Sequence, residues 1–262
     1  MGEPVVRAPV EGGVEPDVGK VLNETIAEFT DDIGPYVLAS LGHTLVVVPV
    51  VLIAVLVMYF GMFFVIFGGS FGAAAVAILM TELMGEAVGG LSMLASQLLL
   101  FAGIFGVIGA FGAGIAAITA PLNASLVRAV AAHQRGEATL DIASAFGTAT
   151  KDLVKVVGMA IIMGLLAMFL LMMCYVPVLV LPLVFGFASS MVHLHRKGPI
   201  SAFTTSVAHF QKHPSFHLVF GALSIALSMV ASYVPVLGPA FITALHVRAY
   251  REMFGDGEEL VF

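Results

Sequence analysis

The chain alternates between long stretches with no charged side chain and short stretches that carry nearly all of its charge. The uncharged runs Thr44 to Met80 and Ala87 to Val127 far exceed the roughly 18 residues that nominate a transmembrane helix. Hydrocarbon cannot satisfy backbone N–H and C=O groups, so spanning segments are helices or a closed barrel. Unbroken apolar runs lack the alternation of a barrel. The pattern predicts an all-α fold, a polytopic transmembrane helical bundle. Six spans satisfy the polar breaks: about 42–67, 91–127, 154–175, 177–194, 215–233 and 235–250. The last pair is marginal, because only 28 uncharged residues separate His217 from His246, against about 20 for each full crossing. Either Arg248 and Arg251 snorkel to the interface, or the pair forms a shallow re-entrant hairpin. Thr44 to Met80 errs the other way and has room for a long helix plus an interfacial segment broken at Gly68-Gly69.

Near the start the period changes. Val18, Val21, Leu22, Ile26, Phe29 and Ile33 recur at helical spacing, while Lys20, Glu24, Glu28 and Asp32 take the other face. This predicts an amphipathic surface helix over about 17–33, stopped by Gly34-Pro35, within an acidic cytoplasmic segment 1–35. Its acidic face is either solvated or laid against basic loops of the same chain or of a partner. The transmembrane domain then covers 36–254, with a tail at 255–262.

Part of that domain is repeated. Tyr175-Val176-Pro177-Val178-Leu179 recurs letter for letter as Tyr233-Val234-Pro235-Val236-Leu237. Upstream of the two copies lie Arg135-Gly136 and Lys197-Gly198, each with a serine eight residues beyond the glycine, Ser144 and Ser206. The repeat units are about 135–196 and 197–254, each an amphipathic segment followed by a helix pair. Tyr175, Pro177, Tyr233 and Pro235 are predicted at outer-face turns, ring in lipid and hydroxyl among headgroups.

Composition excludes a soluble fold: 60% of residues are hydrophobic, 11% are charged, and mean hydropathy is +1.05, against about 25% charged in soluble domains. The first 35 residues hold eight acidic and two basic side chains, which accounts for the whole net charge of -6. No basic n-region precedes the first apolar run, so this segment does not read as a secretory signal. Thr81 to Glu86 contains Glu82 and Glu86 and no basic residue, whereas Arg128 to Lys155 and His193 to Lys212 are basic. The positive-inside rule puts the basic loops, and with them both termini, in the cytoplasm.

Candidate chemistry is sparse. In the second span Ala102, Gly106, Ala110 and Gly114 recur at every fourth position, crossed by Gly103, Gly106, Gly109 and Gly112 at every third. Such faces let helices approach closely, within the chain or between subunits. Pro121 should kink this helix, with Asn123 and Ser125 available to freed backbone groups. Gly68-Gly69-Ser70-Phe71-Gly72 fits a nucleophile pattern, but the expected strand-turn-helix setting is missing and no general base is within reach. His209, His213 and His217 have ligand-like spacing that Pro214 interrupts, without an acidic or cysteine ligand beside them. The tract His193, His195, Arg196 and Lys197, together with Lys212, reads more simply as lipid-headgroup or partner contact. Met159, Met163, Met168 and Met172 read as packing rather than a copper path. Cys174 is the lone cysteine and excludes an internal disulfide. No Walker loop, dinucleotide fingerprint, HExxH or basic nucleic-acid surface is present, so neither a cofactor nor nucleic acid is predicted.

The repeated pattern, ending in Arg248-Ala249-Tyr250-Arg251-Glu252, resembles a broad bacterial family of polytopic membrane proteins, mostly of unknown function. That family includes the membrane domain of some glycerophosphodiester phosphodiesterases. The resemblance covers about Arg135 to Asp256 and implies a helical inner-membrane domain with little chemistry of its own. The expected function is non-enzymatic: an integral inner-membrane protein that organises lipid or a membrane-protein partner, as an oligomer. The alternative is a permease or channel for an uncharged or lipid-like substrate, since the spans carry no charge to couple an ion.

Overall fold

The structure, a computed structural model, describes residues 16–147, 150, 152–173, 180–195 and 197–255. These form nine helices: α1 (Val18–Asp31), α2 (Ile33–Met84), α3 (Glu86–Gln134), α4 (Ser144–Gly147), α5 (Leu153–Met173), α6 (Val180–His195), α7 (Pro199–Lys212), α8 (Pro214–Ala231) and α9 (Gly238–Phe254). The fold is an all-α bundle. Tyr175, Pro177 and Arg196, with the whole first Tyr-Val-Pro tract and most of the C-terminal tail, lie outside the described residues.

Among the described residues four helices are long and apolar enough to cross a membrane: Ile33–Met84, Glu86–Gln134, Leu153–Leu170 and Pro214–Ala231. A shorter apolar helix covers Leu181–His195. The chain reads as a membrane protein. At about 1.5 Å per residue the 52 residues of α2 extend well over twice the roughly 30 Å of a hydrocarbon core. The helix continues through Gly68-Gly69, where the sequence had suggested a break.

Local chemistry explains where helices begin and end. Asp17 caps α1 by accepting from the Gly19 N–H at 2.8 Å. The α1 helix closes at Asp32, whose N–H reaches the Glu28 carbonyl at 3.2 Å, so the stop comes two residues before the expected Gly34-Pro35. Pro35 falls in the first turn of α2, where a missing N–H leaves no intrahelical bond unmade. Between α2 and α3 a single residue makes the turn. Gly85 takes φ +89°, a left-handed conformation glycine adopts without a Cβ penalty. A Cβ at Gly89 would lie 3.1 Å from the Thr81 Cα, so glycine also sets how closely the two helices meet. Pro49 and Pro121 both lie inside continuous helices. Near Pro121 the Thr119 hydroxyl donates to the Ile115 carbonyl at 2.9 Å, and Asn123 lies within hydrogen-bonding reach of His43.

The chain divides into two compact units. One, the polar unit, comprises the described residues of Met1–Val46, Ala120–Met159 and Leu179–Phe262. Within it α6 packs against α7, α8 and α9, and α1 lies on α9. Phe187 at the centre is surrounded by the rings of Phe216, Phe220, Tyr250 and Phe254; burying such a ring contributes about 1.5–3 kcal/mol. A Cβ at Gly221 would stand 3.0 Å from the Leu183 Cα, so α6 and α8 cross close at that point. The second, apolar unit comprises the described residues of Val47–Thr119 and Ala160–Val178. Gly61 sits against Val107 and Phe111, Gly103 against Val65, and Gly164 against Ala113. The outward faces carry Leu52, Leu56, Phe60, Phe64 and Phe71, all largely exposed, as lipid-facing helices require.

The second Tyr-Val-Pro tract is tied to the start of the first predicted span. Thr44 donates to the Pro235 carbonyl at 2.7 Å, and Ser40 accepts from the Ala240 N–H at 2.9 Å. The turn holding Tyr233 and Pro235 therefore lies beside residues 40–44, at the level where the first predicted span begins, a geometry in keeping with the re-entrant alternative for the last pair.

Candidate functional site

The polar unit holds a polar groove of about 570 Å³ lined by Glu24, Glu28, Asp31 and Asp32 of α1, His133 and Gln134 at the end of α3, and Arg248 of α9. Its walls follow from helical spacing. Val21, Thr25 and Phe29 form the buried face of α1, which turns Glu24 and Glu28, one turn apart, toward α9. Of the predicted apolar face, Ile26 and Ile33 remain exposed. Arg248 holds Glu24 at 3.5 Å through Nη1 and hydrogen-bonds Glu28 through Nη2. Tyr36, fully buried, donates its hydroxyl to Glu28 Oε1 at 2.6 Å. Lys20 meets Glu252 at 2.8 Å, and that carboxylate holds the ammonium above the usual lysine range. His133 Nε2 lies 3.5 Å from Asp32, and Gln134 donates to the Ala244 carbonyl at 3.3 Å.

The acidic face of α1 is thus laid on a helix of its own chain. Four carboxylates line the groove against one guanidinium, so the latch is incompletely neutralised and the opening favours cationic groups by Coulomb attraction. The sequence signal was available, Glu24 and Glu28 one turn apart and an Arg at 248, but nothing local paired the first helix with the last.

The predicted small-residue face separates into two sets. Gly109 is buried against Met168, and Gly103 against Val65. Ala102, Gly106 and Ala110 stay exposed, and Gly114 is half-buried with open space where a Cβ would stand. Met168 fills the space above Gly109, and Met159 is fully buried in the polar unit, so these methionines pack.

The predicted headgroup cluster is also divided. His193 is buried, and its carbonyl accepts from Arg128 Nε at 2.8 Å; its ring is withdrawn from headgroups because α6 is central to the polar unit. His195 bonds the Tyr250 hydroxyl, whereas burial raises the Tyr250 pKa further above the ordinary phenol value. Lys197 reaches Thr205 Oγ1 at 3.5 Å, and Lys212 is exposed. His209 and His217, across the Pro214 break, nonetheless meet at 3.3 Å. Among the described residues no group of three or more His, Cys, Asp and Glu is arranged to hold a metal ion. Ser70 lies mid-helix in α2, in a unit whose sequence contains no histidine.

The repeat's two serines are used differently. Ser206 is buried and donates to the Val184 carbonyl at 2.7 Å. Ser144 opens the four-residue α4, donating its N–H to Asp141 Oδ1 at 2.6 Å, and its bonds hold the Asp141 carboxyl below its usual pKa.

Compared with protein-family models, curated proteins and solved structures, the chain finds no match.

Proposed function

We propose that this is a non-enzymatic organiser of the bacterial inner membrane, with both termini cytoplasmic, that assembles with a second copy of itself along α3 and holds lipid or a membrane-protein partner around that assembly. The observation that carries the reading is the division of the small residues on α3. Gly103 and Gly109 face neighbouring side chains of the same chain, while Ala102, Gly106 and Ala110 stay exposed on a lipid-facing helix. In lipid, helices associate through close van der Waals approach, which small residues permit. The basic residues all belonging to the polar unit supports a cytoplasmic side for that unit by the positive-inside rule. The resemblance of about 135–256 to the polytopic bacterial family belongs to the same proposal.

The test is the mass of the intact particle, extracted in native nanodiscs, for wild type and Gly106→Leu. A defined homo-oligomer that Gly106→Leu dissociates supports the proposal. A monomer in wild type, or an oligomer indifferent to the substitution, ends it.

A further inference from the structure

At the corner where α7 meets α8, three imidazoles gather under an aromatic cover. His209 Nδ1 lies 3.3 Å from His217 Nε2, and His217 Nδ1 lies 3.1 Å from the Leu183 carbonyl on α6. A carbonyl only accepts, so His217 carries its proton on Nδ1, and Nε2 of the neutral ring is an acceptor. His209 Nδ1–H must then donate to it. The result is a directed chain from His209 through His217 to the α6 backbone, tying the amphipathic helix to α8 and α6 at once.

We propose that this joint is a pH-sensitive coupling: the neutral His209–His217 pair docks α7, and protonation of both rings releases it. One added proton still leaves a donor facing an acceptor. A second puts an N–H on each facing nitrogen, and the bond that spans the corner becomes a contact between two cations. Among the described residues no acidic side chain acts on His209. From α7 itself His209 faces His213, ring centroids 4.8 Å apart, and Lys212; from α8 it faces His217. From α9 the Phe254 ring covers it at 4.5 Å, with Tyr250 stacked behind and bonded in turn to His195 of α6. The ionisable groups acting on His209 are all basic. Burial first, and then these neighbours, push its pKa down to about 4. The sign follows from that depression. An undocked His209 takes its proton near the ordinary value of 6.5 and the docked one only near 4, so docking is at full strength above the first and weakens as pH falls toward the second.

The experiment is a spin-label distance on the full chain in nanodiscs, with Cys174→Ser and labels at Ser201→Cys on α7 and Leu218→Cys on α8. A narrow distribution at neutral pH should broaden and lengthen between about pH 6.5 and 4. His217→Gln should broaden less over that range, because its amide accepts from His209, donates to Leu183 and cannot be protonated, so the two facing groups never both become cations. A control pair in the apolar unit, Phe64→Cys with Leu99→Cys, should not move. A wild-type distance constant to pH 4, the same broadening in His217→Gln, or movement of the control pair overturns the proposal. If His217→Gln is not docked at neutral pH, nitrogen-15 spectra of the wild-type imidazoles decide: a depressed, coupled titration of His209 and His217 supports the coupling, and two independent titrations near 6.5 overturn it.

Discussion

The polar and apolar units divide the chemistry of the chain almost completely. Every described Lys, Arg and His residue belongs to the polar unit, whereas the described residues of the apolar unit carry only Glu82 and Glu86, beside the Gly85 turn, as charged residues. Both are helical, and both expose large side chains, but exposure means different things in the two. In the apolar unit Phe64 is 71% exposed because its solvent is lipid. In the polar unit Ile200 is 75% exposed at the start of an amphipathic helix whose other face is packed on α6. Equal exposure therefore does not imply equal tolerance.

Lysine substitution at these two positions is the sharpest way to break the comparison, and the largest effect is expected there. Phe64→Lys should cost about 3 kcal/mol of insertion and deplete the membrane-integrated protein. Ile200→Lys, three residues from Lys197, should integrate normally. Alkaline extraction of membranes measures both, and equal loss from the two would remove the distinction between lipid-facing and water-facing surface. Next in size is Gly109→Leu, which forces a side chain into Met168 and should destabilise the apolar unit by about 1–3 kcal/mol. Gly106→Leu, with nothing within 4 Å of its Cβ position, should leave the melting temperature of the detergent-separated monomer unchanged. A fall for both would mean that α3 has no open face.

In the polar unit the corresponding probe is charge. Arg248→Met strands Glu24 and Glu28, and the loss of hydrogen bonds to charged groups should cost about 1.5–3 kcal/mol. The added substitution Glu28→Gln should restore part of that, since an amide tolerates losing its cation. Thermal unfolding at low salt reads the effect. If Arg248→Met melts with wild type, α1 is not held by this latch.

How far the sequence revealed all this differs between the units for a physical reason. In the apolar unit composition alone imposes helices, because lipid leaves backbone groups no other partner, and α2, α3 and α5 follow the uncharged runs. Gly85 as the turn was legible from Thr81 to Glu86. Which small residues pack inside was not, because Gly106 and Gly109 differ only in which neighbour they face. In the polar unit α1 was readable from its period, but its partner α9 lies more than two hundred residues away, and no local pattern pairs Glu28 with Arg248. The histidine contact across Pro214 was read as a broken register, which it is along the helix. The turn between α7 and α8 restores in space what the proline interrupts in sequence.

The smallest expected effect bears on the path of the chain. Thr44 contributes one hydroxyl to the Pro235 carbonyl, so Thr44→Val, nearly isosteric, should cost only about 0.5–1.5 kcal/mol. The loss should be local: faster hydrogen exchange at the turn amides of Leu237 and Gly238, which bond to the Val234 carbonyl at 3.0 and 2.8 Å, with α2 unchanged. The same bond dictates where that turn can be reached. Because residue 44 opens the uncharged run of α2, an impermeant thiol reagent should label Tyr233→Cys from the side that labels Asp32→Cys. Labelling only from the opposite side would restore the fully crossing pair. It would also require α8 and α9 to pull away from Ser40 and Thr44, and faster exchange at the turn in the wild-type protein would then reveal it.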